Sequence, residues 1–213
     1  MFSADNDVVF ESLDTMGVVV QSDWLRYAPV PRADVSKTSG TSLAIQMLES
    51  LLFKTRCFGK ISDETVRKIF AEASCAEDIR LGRECAYPSL KSIVKTVLDQ
   101  GLVKNCNAVW TKDIETLSHY SNACSPSIVE LKFTTSTMNA HHYFIEEEGE
   151  LVSEDYTKGF LLVCMSEDTC ILQNTLGLDC GLHGFNMIDT ELLRKLFVKG
   201  VALELKKPES ENG

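Results

Sequence analysis

A cysteine and a histidine stand three positions apart in a glycine-rich stretch, at Cys180 and His183. Two side chains at this spacing can share one tetrahedral metal ion, although zinc would need four such groups at bond distance. Cys164 and Cys170 precede the pair, but the sequence contains no second pair with the same spacing. The pattern is therefore more typical of core cysteines and a loop histidine than of a zinc site. We predict no metal and no other cofactor.

The same residues could perform nucleophilic chemistry. A cysteine hydrolase or transferase needs a thiolate, a histidine within reach and a third group that orients the histidine. Cys180 with His183 is the preferred pairing, because the glycines around it would leave a thiolate exposed. Other candidate groups are Cys124, His119, His141 and His142. Lowering a thiol pKa also needs nearby positive charge or a helix N-terminus, and this half of the chain is acidic, so a cysteine-dependent enzyme remains an alternative interpretation.

Carboxylates dominate the segment from residue 146 to residue 155, which has the most unusual local composition in the chain. Its acidic side chains are Glu146, Glu147, Glu148, Glu150, Glu154 and Asp155. Such a cluster repels itself, and a basic partner surface would relieve the repulsion and accelerate association. A solvated turn would explain the same residues. The alternating oxygen ligands of an EF-hand are missing. We predict a protein contact at Glu146, Glu147, Glu148 and Glu150.

Nucleotide-binding and common hydrolase motifs are missing. The sequence contains neither GxxxxGK[ST] nor a GxGxxG that follows a strand, so a P-loop or Rossmann enzyme is not expected. GxSxG and HExxH are missing too.

The elements that must position these groups are organised around one apolar hairpin. Phe160 to Met165 and Thr169 to Leu172 are continuous apolar runs, and Ser166 to Asp168 supply a short polar turn. Runs without alternation indicate strands that are covered on both faces. The rest of the chain must therefore provide two covering layers.

Residues 41–126 are predicted to be mostly helical. The first helix starts near Thr41, the second is capped by Ser62, and the third has Pro88 in its first turn and ends at Gly101. A further helix is expected over residues 110–120. The third helix followed by extended Leu102 and Val103 resembles the second half of a winged-helix domain. That resemblance implies nucleic-acid binding, but Lys91 and Lys95 provide little charge for phosphate contacts.

Residues 127–206 are predicted to form a mostly antiparallel sheet with a C-terminal helix and strand. Ile128 to Phe133 alternates as a half-buried strand. His142 to Ile145 and Leu151 with Val152 are expected to form a hairpin whose tip is the acidic segment. Asp189 caps a helix that we expect to run from Thr190 to Lys199. Together with the helical first half, this pattern predicts an α+β fold, in which residues 41–126 and 127–206 belong to one cooperative domain.

The two ends of the chain look less regular. Residues 1–40 are predicted to form an extended arm with short strands at Val8 to Phe10 and Met16 to Val20, and the exposed candidate there is Trp24. Trp24 could insert into a partner, although packing on the protein's own core would bury its large apolar area as well. Residues 207–213 are predicted to be a solvated tail.

The net charge limits the classes of partner, and the cysteine content indicates the cellular location. The formal charge is -10 and the pI is about 4.9. Residues 111–213 carry 8 Lys/Arg against 17 Asp/Glu. Nucleic acid and anionic membranes are therefore unfavourable partners. Eight cysteines spread through apolar segments, without a signal-like N-terminus, indicate reduced thiols and a cytoplasmic or nuclear location. The sequence has no run long enough for a membrane-spanning helix.

These observations favour a non-enzymatic, intracellular protein-protein interaction module, an adaptor or a subunit of a larger assembly. Its predicted contacts are the acidic segment and Trp24. The order of elements loosely resembles adaptor folds such as the HORMA domain, a likeness of architecture that carries no residue assignments. The alternatives are the cysteine-dependent hydrolase or transferase with Cys180 and His183, and the winged-helix nucleic-acid-binding protein.

Overall fold

The computed structural model describes residues 39–54, 61–82, 87–103, 105–122, 127–138 and 142–205. They form six helices and a seven-stranded mixed sheet, which confirms the predicted α+β class. The helices are α1 (Ser39–Lys54), α2 (Asp63–Leu81), α3 (Leu90–Asp99), α4 (Ile114–Asn122), α5 (Thr135–Met138) and α6 (Thr190–Leu196). The strands are β1 (Cys106–Thr111), β2 (Ser127–Thr134), β3 (Phe144–Ile145), β4 (Leu151–Met165), β5 (Thr169–Gln173), β6 (Phe185–Asp189) and β7 (Phe197–Leu205).

The strand order is β1-β7-β2-β4-β5-β6-β3. All neighbouring strands run antiparallel except β3 and β6, which are parallel. The predicted central hairpin is confirmed: β4 and β5 pair from Leu161 with Gln173 to Met165 with Cys170. Ser166 closes the turn, since both its N–H and its hydroxyl donate to the carbonyl of Thr169. Both runs are buried, as their unbroken apolar character predicts.

Two apolar clusters lie on opposite faces of the sheet. The first contains the buried sides of α1, α2 and α3 together with Ile128 of β2, and the second contains residues of α4 and α6 together with Val129 and Leu131. Successive strand residues point to opposite faces, so β2 contributes to both clusters. Because both faces are covered, Ser127 to Leu131 are all buried. The expectation of a half-buried β2 is therefore wrong.

Helix α1 lies at the centre of the first cluster and is buried on every side from Leu43 to Leu51, polar residues included. Two of its polar side chains have local partners. Glu49 Oε1 accepts the N–H of Ile61 at 2.8 Å, and the Ser50 hydroxyl donates to the carbonyl of Gln46 at 3.0 Å. The amide of Gln46 has no hydrogen-bond partner among the described residues. A helix that is covered all round is typical of the interior of a larger fold.

Two of the helices begin with the predicted cap, and a third begins differently. Ser62 caps α2 and accepts the N–H of Thr65, and Asp189 caps α6 and accepts the N–H of Leu192. The third helix is capped by Ser89, so Pro88 precedes the cap and does not lie in the first turn. Gly82 and Gly101 end α2 and α3 in the left-handed conformation.

The structure corrects three element boundaries. The helix expected over residues 110–120 begins at Ile114, and Trp110 lies in β1, a strand inside the region predicted to be helical. Leu102 and Val103 lie in a turn, so the extended exit that the winged-helix resemblance requires does not form. Helix α6 ends at Leu196, and Gly200 lies within β7, where it does not stop a helix.

Several predictions fall outside the described residues. These are the N-terminal arm with its two strands and Trp24, the C-terminal tail, and the candidate groups Cys124 and His141.

Candidate functional site

A cleft of about 310 Å³ lies between the start of α1 and strand β4. Leu43 and Leu90 form part of its apolar lining, and Tyr87 and Tyr156 are exposed aromatic side chains at the same cleft. Gly159 of β4 faces the start of α1 so closely that a Cβ atom there would lie 2.5 Å from Cδ1 of Leu43. A larger side chain at position 159 would therefore have to displace Leu43.

One ion pair lies at this cleft. Glu130 is nearly buried, and its Oε2 lies 3.0 Å from Nζ of Lys199 on the neighbouring strand. The two atoms are close enough for an ion pair, but they are not aligned as a hydrogen bond. Oε2 accepts no hydrogen bond from any described residue. Lys199 balances the carboxylate charge. No cysteine and no histidine is found among the described residues that line the cleft, so these residues supply neither a thiol nucleophile nor an imidazole base.

Cys180 and His183 do not form a nucleophile and base in this structure. They lie in the loop between β5 and β6. Cys180 is buried, with 8% of its surface exposed, whereas His183 is exposed and has a left-handed backbone. The imidazole of His183 makes no hydrogen bond to any described residue. Cys180 is held in the turn by its backbone, since its N–H donates to Gly177 and its carbonyl accepts from Gly184. The glycines shape this loop, but they do not expose the thiol.

The other described cysteines are also free thiols. Cys164 pairs with Ile171 and Cys170 with Met165 across β4 and β5, and both cysteines are buried. Burial raises the pKa of the Cys170 thiol to about 12, with its sulfur 3.2 Å from the hydroxyl oxygen of Thr190. Burial likewise raises the pKa of Cys106 to about 11. Neither thiol is activated. Among the described residues, no group of three or more His, Cys, Asp or Glu side chains is arranged to hold a metal ion.

We expect alkylation of the native protein to distinguish these thiols. Iodoacetamide at pH 8 should modify the exposed Cys75 first, and Cys164, Cys170 and Cys180 at least ~10-fold more slowly, because buried thiols react only through local opening. Peptide mapping by mass spectrometry would measure each rate, and labelling in denaturant is the control, in which the four rates should converge. A native Cys180 that reacted faster than Cys75 would contradict this expectation and support the cysteine-dependent alternative.

The acidic segment does not form the tip of a hairpin, so that prediction is wrong. β3 pairs with β6 at one edge of the sheet, whereas β4 begins at Leu151 and pairs with β2 in its middle. Glu146 to Glu150 therefore connect two strands that are separated by β5 and β6. Local sequence favoured a hairpin because the two apolar stretches are close in the chain, but each stretch pairs with a more distant strand.

The connection Glu146 to Glu150, which is the part of the acidic segment that precedes β4, is held at both of its ends. At its start, the N–H of Met187 donates to the carbonyl of Tyr143 at 2.7 Å, just before β3. At its end, Thr135 and Glu150 exchange two hydrogen bonds of 2.9 and 3.0 Å. Gly149 fits against α5 with a positive φ, and a Cβ there would lie 2.9 Å from the backbone nitrogen of Ser136. The carboxylates are thus presented by an anchored connection.

Glu146, Glu147, Glu148 and Glu150 are all exposed. Glu148 lies 3.4 Å from Nζ of Lys132, whereas Glu146 and Glu147 have no ion-pair partner among the described residues. The predicted contact residues are therefore all exposed, and no described cation pairs with Glu146 or Glu147.

A groove of about 490 Å³ runs beside this segment, between α5 and residues 142–147. The exposed Tyr143 and Phe144 line it, together with Glu146 and Glu147. The sequence pattern placed Tyr143 and Phe144 in an arm of the expected hairpin and did not indicate a groove there. The sequence shows these two aromatic residues one position before a run of carboxylates, separated from it by Ile145.

The remaining candidate groups are dispersed. His119 is exposed on α4 with its ring edge-on to Tyr120, and His142 is exposed beside the groove. Lys91 and Lys95 are exposed on α3, where Lys95 pairs with Asp99. None of the described helices is both long and apolar enough to cross a membrane.

No protein-family model and no curated protein sequence matches the chain. Among solved structures, the fold is similar to that of the cysteine protease CMS1MS2 from Carica candamarcensis, which was crystallised in complex with E-64. The TM-score is 0.59 at 11% sequence identity, and the match covers 87% of this chain and 98% of that chain. At this identity the likeness shows a shared fold.

Proposed function

We propose that the protein is a non-enzymatic protein-protein interaction module, an adaptor or a subunit of an assembly, built on a cysteine-protease-like fold. The observation that carries this proposal is the anchored, exposed acidic segment, in which Glu146 and Glu147 lack ion-pair partners among the described residues and adjoin exposed aromatic side chains. Uncompensated charge beside apolar surface is typical of a docking site. The partner is a protein with a basic surface. The proposed location is the cytoplasm or the nucleus, where the cysteines would stay reduced.

The start of α1 supports the non-enzymatic part of the proposal. Papain-type cysteine proteases carry their nucleophile in the pattern Cys-Gly-[Ser/Ala]-Cys-[Trp/Tyr], with a histidine and an asparagine far downstream. The chain reads Ser39-Gly40-Thr41-Ser42-Leu43 at the start of α1. Glycine is shared with that pattern, but serine occupies both cysteine positions.

The cysteine-dependent hydrolase or transferase is the second candidate, and the similarity to a cysteine protease favours it. On this chain it would rest on Cys180 and His183, because the start of α1 carries no cysteine. The buried thiol, and an imidazole without a hydrogen bond to the described residues, make this candidate the weaker one. The alkylation experiment above decides between the two, since a catalytic cysteine would be the fastest-reacting thiol.

Charge reversal tests the proposed contact. We expect a variant with Glu146→Lys, Glu147→Lys, Glu148→Lys and Glu150→Lys to recover its partner at least ~10-fold less well than the wild type, because attraction to a basic surface becomes repulsion. The measurement is affinity purification from the native cell, with quantitative mass spectrometry of the proteins that co-purify in stoichiometric amount.

The control at a second site is Glu167→Lys with Asp168→Lys, which reverses two exposed charges at the β4–β5 turn. It should recover the partner as the wild type does. Equal recovery by the fourfold variant would refute the acidic contact, and a wild type that captures no stoichiometric partner would refute the interaction module itself.

A further inference from the structure

Strand β3 leaves one side of the sheet open. It is the last strand in the sheet order, and among the described residues no strand pairs with its outer side. The carbonyl of Tyr143 points toward β6, where it accepts the N–H of Met187. Backbone groups alternate in direction along a strand, so the carbonyl of Phe144 points outward. An open edge of this kind can accept an extended peptide as an additional strand.

The groove next to this edge has a specific chemistry. Tyr143 and Phe144 are 50% and 43% exposed, which gives the groove an aromatic wall. Glu146 and Glu147 follow after the buried Ile145 and line the same groove. Aromatic faces attract ammonium and guanidinium groups, and carboxylates pair with them. Both features select a positively charged occupant.

The groove is also shaped before a ligand arrives. Its floor includes Thr135 and Ser136 of α5, and Thr135 is hydrogen-bonded to the backbone of Glu150 at the far end of the acidic segment. On the opposite side, Asn186 of β6 donates its side-chain amide to the carbonyl of His142 at 2.7 Å. Because both flanks are fixed, ordering the site around an occupant would cost little.

We infer that this groove, defined by residues 135–136 and 142–147, binds a lysine- or arginine-rich extended segment of a partner protein, which adds alongside β3. The apolar stems of the basic side chains lie on Tyr143 and Phe144, and their charged ends reach Glu146 and Glu147. The inference rests on the proposed function and names the chemistry of its partner. A second copy of this chain is a poor occupant, because each copy carries a formal charge of -10.

The test uses the full-length protein and a fluorescein-labelled heptapeptide of alternating lysine and valine, with binding followed by fluorescence anisotropy at low and high salt. We expect saturable binding that weakens at high salt. The variant Glu146→Lys with Glu147→Lys should weaken binding at least ~10-fold, whereas Glu167→Lys with Asp168→Lys, which reverses the same amount of charge elsewhere, should change it less than ~2-fold. Circular dichroism of both variants establishes that they are folded.

Two further peptides test whether the occupant pairs through its backbone and whether it must be positively charged. A peptide in which valines are replaced by proline lacks every second backbone N–H and cannot pair as a regular added strand, so we expect it to bind at least ~10-fold more weakly. A peptide of alternating glutamate and valine should not bind. Equal weakening by the two charge-reversal variants, equal binding of the proline peptide, or binding of the acidic peptide would each overturn the assignment. Self-association that Glu146→Lys with Glu147→Lys abolishes, measured by sedimentation, would make a second copy the occupant and overturn it too.

The experiments distinguish a failure of the groove assignment from a failure of the proposed function. If the basic peptide does not bind but charge reversal still removes a native partner, the groove assignment fails and the interaction module stands. If the peptide binds and the wild type captures no stoichiometric partner, the groove is real and the proposed function fails.

Discussion

Replacing Glu77 by glutamine is expected to lower the free energy of unfolding by about 3 kcal/mol at neutral pH. Glu77 lies on α2 with only 3% of its side chain exposed. Its Oε2 accepts hydrogen bonds from the hydroxyls of Ser89, at 2.9 Å, and Ser92, while its Oε1 accepts from Arg80. This carboxylate joins α2 to the start of α3. A glutamine would bring N–H donors toward groups that already donate, and would leave some of them unsatisfied.

The pH dependence of the free energy of unfolding tests whether this network stabilises the fold. The hydroxyl of Ser92 and the guanidinium of Arg80 outweigh burial and lower the pKa of Glu77 from 4.5 to about 2. A carboxylate with a lowered pKa stabilises the fold above its unfolded pKa and loses that contribution as the pH falls. We therefore expect the wild type to lose about 3 kcal/mol more than Glu77→Gln between pH 5 and pH 2.

Urea unfolding at several pH values measures both effects. Glu72→Gln is the matched control, because Glu72 lies on the same helix but is 42% exposed, so that water screens its contacts with Lys68 and Gln100. It should cost less than ~1 kcal/mol. If Glu77→Gln unfolded with the pH profile of the wild type, the network would not stabilise α2 against α3.

Replacing Gly200 by alanine is expected to destabilise the protein by at least ~3 kcal/mol. Gly200 lies in β7, between Thr111 of β1 and Val129 of β2. A Cβ at this position would lie 2.4 Å from the carbonyl oxygen of Ile128 and 2.3 Å from Cδ1 of Leu117. The leucine side chain could rotate away, but the carbonyl belongs to a paired strand. Strand β7 would therefore have to shift against β2.

Gly82→Ala is the control for this substitution. Gly82 has a φ of 65°, but no described atom lies within 4 Å of the position that a Cβ would take, so alanine should cost only the ~1 kcal/mol of a left-handed backbone. Thermal unfolding should show a much larger decrease in melting temperature for Gly200→Ala than for Gly82→Ala. Equal decreases would mean that β7 can move to accept a methyl group.

Sequence patterns correctly predicted the elements that depend on interactions between residues close in the chain. Ser62 and Asp189 cap helices because their side chains reach N–H groups three residues away, and the run from Phe160 to Met165 is a buried strand because it is apolar throughout. The acidic segment was also identified correctly as an exposed surface, since several adjacent carboxylates are rarely buried.

Features that depend on distant partners were missed. Cys106 to Thr111 is a strand because it pairs with β7, nearly a hundred residues later, and its own sequence is mixed in polarity. The edge position of Phe144 depends on β6 in the same way. Cys180 looked exposed because glycines surround it, yet those glycines allow the loop to fold over its thiol. Distances between such groups are set by packing, which periodicity and spacing do not contain.

The parallel pairing of β3 with β6 also determines when this edge of the sheet can form during synthesis of the chain. Phe144 pairs with Met187, so this edge of the sheet cannot form until about 40 further residues have been made. At ~5–20 residues per second, synthesis of that stretch takes several seconds. The proposed docking groove would therefore appear only after most of the chain has left the ribosome. A nascent or truncated chain would carry the carboxylates without the surface, and a partner would engage only molecules whose sheet is complete.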